Sequence, residues 1–237
     1  MLKRIVIALA ALAGIALTLS LGQWQWGRAQ QRNALQEAIA SRQNMPPLAV
    51  GELLAASDPQ ALVHRPVVLR GEWVSAQTLF LDNRQMNGVP GFYVVTPLRL
   101  EGRQDTVLVQ RGWAPRNFTR RELLPQVTTP GGMVEVRGRL APPPAKLYAF
   151  DTEEKGPIRQ NLDLARFRAE TGLALLPLSV QQAGPASEGL LRHWPQPASG
   201  AGKNIGYAFQ WWALAALIAI LYVWFQLVLP RRQARRL

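Results

Sequence analysis

Two stretches without a charged residue stand near opposite ends of the chain, and the sequence between them alternates apolar and polar positions. The first, Ile5 to Leu21 (IVIALAALAGIALTLSL), contains 17 residues. As a helix rising about 1.5 Å per residue it extends roughly 26 Å, enough to cross a bilayer core. The second, Ile205 to Leu229 (IGYAFQWWALAALIAILYVWFQLVL), contains 25 residues. Its helical length of roughly 38 Å crosses with tilt. Both predict membrane-spanning helices. Lys3, Arg4, Ser20 and Gly22 also permit a cleaved signal peptide, but the apolar run exceeds the usual h-region and no Ala-x-Ala follows it, which favours an uncleaved anchor. Ala10-x-x-x-Gly14 provides small residues suited to helix–helix contact. Beyond the first span, Ala34, Leu35, Ala38 and Ile39 recur at helical spacing among Arg28, Arg32, Gln36 and Arg42. The helix therefore continues outside the membrane until Met45-Pro46-Pro47 stops it.

From His64 to Leu140 the period changes to two. PVVLRGEWV, QTLFLDN, GFYVVTPLRL, DTVLVQRGW and MVEVRGRL are short, rich in β-branched residues and separated by turn signals. Asn83 to Gly91 reads as a hairpin connection with Asn87-Gly88 at its turn. Three strands end alike, at Arg70-Gly71, Arg111-Gly112 and Arg137-Gly138, which predicts a bend or bulge after each. Ala141-Pro142-Pro143-Pro144 is a stiff break. Asp163 to Thr171 then predicts a short helix capped by Asp163 and closed by Gly172. LLPLSVQQA offers a last strand, and the Pro- and Gly-rich run Gly184 to Gly202 returns the chain to the membrane. The expected fold class is α+β: two transmembrane helices flanking a mainly antiparallel, barrel-like sheet outside the cytoplasm. The expected division is residues 1–22, 23–204, 205–229 and 230–237.

Charge sharpens this topology. The chain carries 27 Lys plus Arg against 15 Asp plus Glu, a net charge of +12. Lys3, Arg4, Arg231, Arg232, Arg235 and Arg236 flank the two spans and supply half of it. The positive-inside rule then puts both termini in the cytoplasm and the middle segment across the membrane. Without a transit peptide before the first span, a bacterial inner membrane is the expected location. The remaining charge is mild, and no basic helix, zinc finger or RNA-binding signature accompanies it, so no nucleic-acid partner is expected.

Candidate chemistry is sparse. The absence of Cys excludes disulfides, thiolate metal sites and a cysteine nucleophile. No Walker loop, dinucleotide fingerprint, HExxH or GxSxG occurs, and no enzymatic function is expected. Asp151, Glu153 and Glu154 form an acidic cluster more typical of a solvated loop than of acid–base chemistry. His64 opens a strand, where packing is its ordinary role, and His193 lies in the tether LLRHWPQP, where a ligand role is conceivable. The run Arg111, Gly112, Trp113, Ala114, Pro115 suits either a partner-binding corner or a strand end with its Trp buried. At the outer ends of the spans, Trp24, Trp26 and Arg28 share a membrane depth with Lys203, Tyr207, Trp211 and Trp212. Tyr207, Gln210, Trp211 and Leu214 fall on one helix face. Aromatic-belt anchoring in lipid accounts for the indoles, whereas Gln210 in hydrocarbon wants a partner.

GQWQWGRAQQR after a first span, LDNRQMNGVPGFYVVTPLRL, VLVQRGWAP and YAFQWWALA opening a second span resemble the Surfeit locus protein family, including its Shy-type members. The resemblance covers nearly the full chain in the same order. Its most specific pieces are Gly22-x-Trp24-Gln25, Arg111-Gly112-Trp113-x-Pro115 and Tyr207-Ala208-x-Gln210-Trp211. It implies a non-enzymatic assembly factor for a haem–copper cytochrome c oxidase, assisting haem a insertion into subunit I or stabilising that subunit. Subunit I and haem a synthase are the implied partners. The alternative is a membrane-anchored periplasmic adaptor without haem handling. The family's proposed haem ligand is a His three residues before the Tyr-Ala-x-Gln-Trp motif, and Asn204 stands there in this chain. A carboxamide is a poor axial ligand. Three accounts remain: His193 replaces the ligand; Tyr207 ligates, or the aromatic face with Lys203 or Arg28 on the propionates holds haem a; or assembly proceeds through protein contacts alone. The last two are favoured over the first.

Overall fold

Each predicted strand forms, and the strands close on one another. A computed structural model describes residues 2–120, 123–147, 156–195 and 200–234, and the chain divides into one unit of residues 39–196 and another of residues 1–38 and 197–237. The acidic cluster Asp151, Glu153 and Glu154 and the basic pair Arg235 and Arg236 lie outside the described residues.

In the first unit, β1 (Pro66–Trp73), β2 (Leu79–Met86), β3 (Val89–Leu100), β4 (Asp105–Pro115), β5 (Met133–Ala141), β6 (Ile158–Arg159) and β7 (Ala174–Gln182) form one sheet. Their order is β1-β5-β7-β4-β3-β2-β6, and β1 also pairs with β3. Strands β1, β5, β7, β4 and β3 thus make a closed five-stranded ring, from which β2 and β6 extend. Pairing is antiparallel except for β4 with β7 and β2 with β6. This is the Greek-key ring of OB-type barrels. Closure leaves no edge on the ring itself, which explains how so short a domain buries its strands. Inside lie Val67, Leu69, Leu98, Val107, Val109, Val136, Leu140 and Val180. Outside, α3 (Leu164–Thr171) presses Phe167 onto Leu81, Val95 and Leu108. Strand β4 is consequently buried on both faces. Asp163 caps α3 by accepting from the Arg166 amide at 3.1 Å, and Gly172 ends it in the left-handed conformation, as the sequence predicts.

Two local expectations change. The connection at Asn83–Gly91 is mostly strand: β2 runs to Met86, Asn87-Gly88 makes a tight turn with φ of 52° and 78°, and β3 resumes at Val89. A bulge between Leu81 and Arg84, with Asn83 at φ 58°, disguised the alternation. None of the three Arg-Gly pairs ends its strand. The expected bulge occurs at Arg111-Gly112, where β4 shifts register against Val94 and Val95, whereas Gly71 and Gly138 lie in unbroken pairing where neighbouring backbone crowds them. A Cβ on Gly71 would lie 2.2 Å from the Arg99 carbonyl oxygen, and one on Gly138 would lie 2.4 Å from that of Gln181. Close backbone approach is the reason for glycine here.

The second unit is a pair of antiparallel helices. Helix α1 spans Leu2–Gln43; α4 (Ala201–Tyr222) continues through a π-helical segment, Val223–Val228, into α5 (Leu229–Ala234). Both are long and apolar enough to cross a membrane. Contacts pair Gly14 with Ile218 and Gly22 with Trp212, so the chains run in opposite directions. Gly14, Thr18, Gly22 and Ala29 face Ala201, Ala208 and Ala215, and small residues bring the backbones close. Ala10, by contrast, is exposed. Thr18 and Ser20 donate their hydroxyls to carbonyls of their own helix, at 2.8 Å to Gly14 and 2.8 Å to Ala16.

Gly71 sits where β1 meets both β3 and β5. Gly71→Ala drives a methyl into a backbone carbonyl that cannot rotate away, and a loss of about 1–3 kcal/mol is expected, read as a lowered unfolding midpoint. His64 supplies a pH signature. Burial first, then Arg139 and Arg42, hold its imidazole below the ordinary value of 6.5. The unfolded chain protonates first, so stability is full above that value and falls as pH drops below it. His64→Asn, tolerated at φ 77°, should flatten the fall in unfolding midpoint between about pH 7 and about pH 5.

Candidate functional site

The helix pair brings together part of the set that the sequence singles out, with neighbours it did not. Asn204 Nδ2 donates to Gln25 Oε1 at 2.6 Å, the polar contact joining the two helices near the start of α4. Arg32 Nη1 reaches the Gly200 carbonyl, at the N-terminus of α4, at 3.3 Å. Beside the amide pair, Trp26, Phe209 and Trp212 form an aromatic cluster with ring centroids 5.7–6.5 Å apart. Gly22 makes room for it: a Cβ there would meet the Trp212 indole at 2.3 Å.

The remaining predicted residues point elsewhere. Tyr207 is 53% exposed, and Gln210 and Leu214 share that outward face, while Trp211 is half-buried. Gln210 makes no hydrogen bond among the described residues. Trp24 is exposed and carries the Arg28 guanidinium 6.0 Å from its ring centroid; Lys203 is exposed as well. The inter-helix amide partner is therefore Asn204, with Gln210 left for lipid or another protein. The heptad Ala201, Ala208, Ala215 was the overlooked signal. Small residues at that spacing mark the buried face of α4 and place Trp212 rather than Tyr207 upon it.

An axial haem ligand requires a lone pair on nitrogen, sulfur or phenolate oxygen. Asn204 offers a carboxamide whose N–H is already spent on Gln25 and whose Oδ1 is buried without a partner. Asn204 does not fit axial ligation of haem a. His193 belongs to the other unit, where it is exposed.

In the sheet unit, the Arg-Gly-Trp run is internal. Arg111 is wholly buried. It donates to Thr129 Oγ1 and the Thr128 carbonyl at 2.7 Å each, pairs with Glu188 at 2.9 Å, and lies 4.8 Å from the Trp73 ring centroid. Gly112 admits the Leu190 side chain and the Leu191 backbone, and Trp113 is buried with its Nε1 donating to the Arg84 carbonyl at 2.8 Å. Arg192 also reaches Glu188, and burial outweighs that carboxylate in pulling its pKa below the ordinary value. Of the predicted partner-binding set, only Pro115 presents its side chain to the outside. Arg111, Gly112 and Trp113 instead fasten the segment from Glu188 to Arg192 onto β4.

Comparison with known proteins covers both units. A sequence model of the SURF1 family matches residues 12–216. A SURF1-like protein of Drosophila melanogaster is 27% identical over 239 residues, spanning 91% of this chain and 75% of the fly protein. Surfeit locus protein 1 of Arabidopsis thaliana is 31% identical over 113 residues, 44% of this chain and 32% of its own length. The cytochrome oxidase assembly protein SHY1 of Saccharomyces cerevisiae is 26% identical over 111 residues, covering 47% of this chain and 28% of the yeast protein. The chain thus spans about a third or less of the plant and yeast relatives.

The amide pair is testable on its own. A double-mutant cycle of Gln25→Ala and Asn204→Ala, followed by unfolding in micelles, should return a coupling of about 1 kcal/mol. Strict additivity would show that the contact does not hold the helices.

Proposed function

The chain belongs to the SURF1 family, and on that premise we propose that it is an assembly factor for cytochrome c oxidase that works by contact, not by catalysis. The observation that carries the reading is the extent of the family match, which takes in most of the first membrane helix, about half of the second and the whole sheet unit. A relative named as a cytochrome oxidase assembly protein supports the oxidase as client.

Within that reading, the client surface is oxidase subunit I, itself a membrane-embedded protein. The outward face of α4, with Tyr207, Gln210 and Leu214, offers apolar area plus one amide. An amide in hydrocarbon gains most from another helix. Lys3 and Arg4 before the first span and Arg231 and Arg232 after the second favour cytoplasmic termini and a periplasmic sheet unit in a bacterial inner membrane. The amide chemistry at Asn204 favours stabilisation of subunit I over carriage of haem a by an axial bond at that position. Aromatic and cationic groups at the outer ends, Trp24, Arg28 and Lys203, serve anchoring at the lipid interface.

Two experiments bear on this. Deletion of the gene should lower oxidase activity and haem a occupancy while synthesis of subunit I stays normal; complete oxidase assembly in a strain without a paralogue contradicts the proposal. The protein purified after co-expression with haem a synthesis should show no axially ligated haem a spectrum. Asn204→His should be needed to create one, and a ligated spectrum in wild type overturns the contact-only reading.

A further inference from the structure

Arg84 follows the bulge in β2, and the bulge turns its side chain into the protein, leaving the residue 6% exposed. Its Nη2 donates to the Gln160 carbonyl at 3.0 Å, and its guanidinium carbon lies 5.8 Å from the Tyr93 ring centroid. Its Nε is buried with no hydrogen-bond partner. No carboxylate pairs with it among the described residues. Asp82, the nearest acid in sequence, is engaged by Arg116, and Glu170 is taken by Arg159 and Arg166. Arg111 and Arg192, by contrast, share the Glu188 carboxylate. Burial also pulls the Arg84 pKa below the ordinary guanidinium value, the sign of a cation held out of water.

Burying an unpaired charge costs several kcal/mol, and a neutral donor would serve the Gln160 carbonyl as well. The surroundings supply a reason to keep it. Arg84 and Tyr93 line an open cleft of about 530 Å³, a volume within the range of small-ligand sites. Pro142, Pro143 and Pro144 form its stiff apolar rim, and Gln110 and Gln181 add neutral amides. Trp194 braces Tyr93 edge-on, with centroids 5.2 Å apart. Among the described lining residues Arg84 alone is charged. One fixed positive charge with a planar fork matches one carboxylate; a phosphate dianion would call for a second cation.

We propose that this cleft binds a monocarboxylate group, with the Arg84 guanidinium as its counter-ion and Tyr93 and the proline rim holding the apolar part of the ligand. The carboxylate belongs either to an acidic side chain of a polypeptide or to a small organic acid; the chemistry at Arg84 is common to both. The site lies wholly in the sheet unit and is independent of the oxidase reading.

The test uses the full-length protein in micelles and ligand-observed NMR with four probes: acetyl-Gly-Glu-Gly-amide, its Gln counterpart, butyrate and inorganic phosphate. The Glu peptide should bind at least tenfold more tightly than the Gln peptide, and phosphate more weakly than either carboxylate. A Glu peptide that outbinds butyrate marks a polypeptide as the source, and the reverse order marks a small acid. Arg84→Gln, which keeps a donor for Gln160, should abolish the Glu-over-Gln preference with an unfolding midpoint no lower than wild type. Gln85→Glu, on the exposed rim, should weaken carboxylate binding in a folded protein even if Arg84→Gln does not fold. Equal binding of the Glu and Gln peptides, phosphate binding as tight as carboxylate, or unchanged binding in both variants would falsify the assignment.

Discussion

The sheet unit depends on one buried cation. Arg111 has no exposed surface, and the cost of desolvating a guanidinium is several kcal/mol before any partner is counted. The protein meets that cost by bringing four segments to it: its own strand β4, Trp73 at the end of β1, the backbone and hydroxyl at Thr128 and Thr129, and Glu188 beyond β7. Because β1 closes the ring against β3, the Trp73 contact ties ring closure to the same charge that holds the returning segment. A buried ion pair contributes little net stability. What it disfavours is any other arrangement of these segments, since Arg111 would then be left in a dry interior without the partly exposed Glu188.

The helix pair obeys a different constraint. Two apolar helices in lipid gain nothing from hydrophobic burial against each other, so contact area and a few polar bonds must hold them. Gly14, Gly22 and the alanine heptad of α4 supply the close approach, and Gln25 with Asn204 supplies the polar bond. The glycine at position 22 is also what lets the Trp212 indole lie against α1, so the aromatic cluster is a product of the packing and not a separate feature.

Much of this was legible in the sequence. Spans, strand positions, the α3 caps and the α+β class follow from periodicity and capping chemistry, which act locally. A barrel-like sheet was expected, but which strands close it was not legible, because β1 meets β3 and β5 through registers that no local pattern encodes. Of the Arg-Gly pairs, the one at Arg111-Gly112 does mark a bulge, but at Gly71 and Gly138 only the packed neighbour reveals that the glycine signals a lack of space. At the helix pair, polar and aromatic residues drew attention to the outward face of α4. The buried face is written in alanines, whose meaning depends on what they approach.

The separation between Arg111 and Glu188 has a temporal side. They lie 77 positions apart in the chain. At synthesis rates of roughly 5–20 residues per second, Glu188 follows Arg111 off the ribosome by roughly 4–15 s. During that interval β7 and the segment carrying the carboxylate do not yet exist beside β4, and a strand destined for burial on both faces is open to water. The ring therefore completes late, after nearly all of the unit has been made, and the newborn chain must wait with its most costly charge still hydrated.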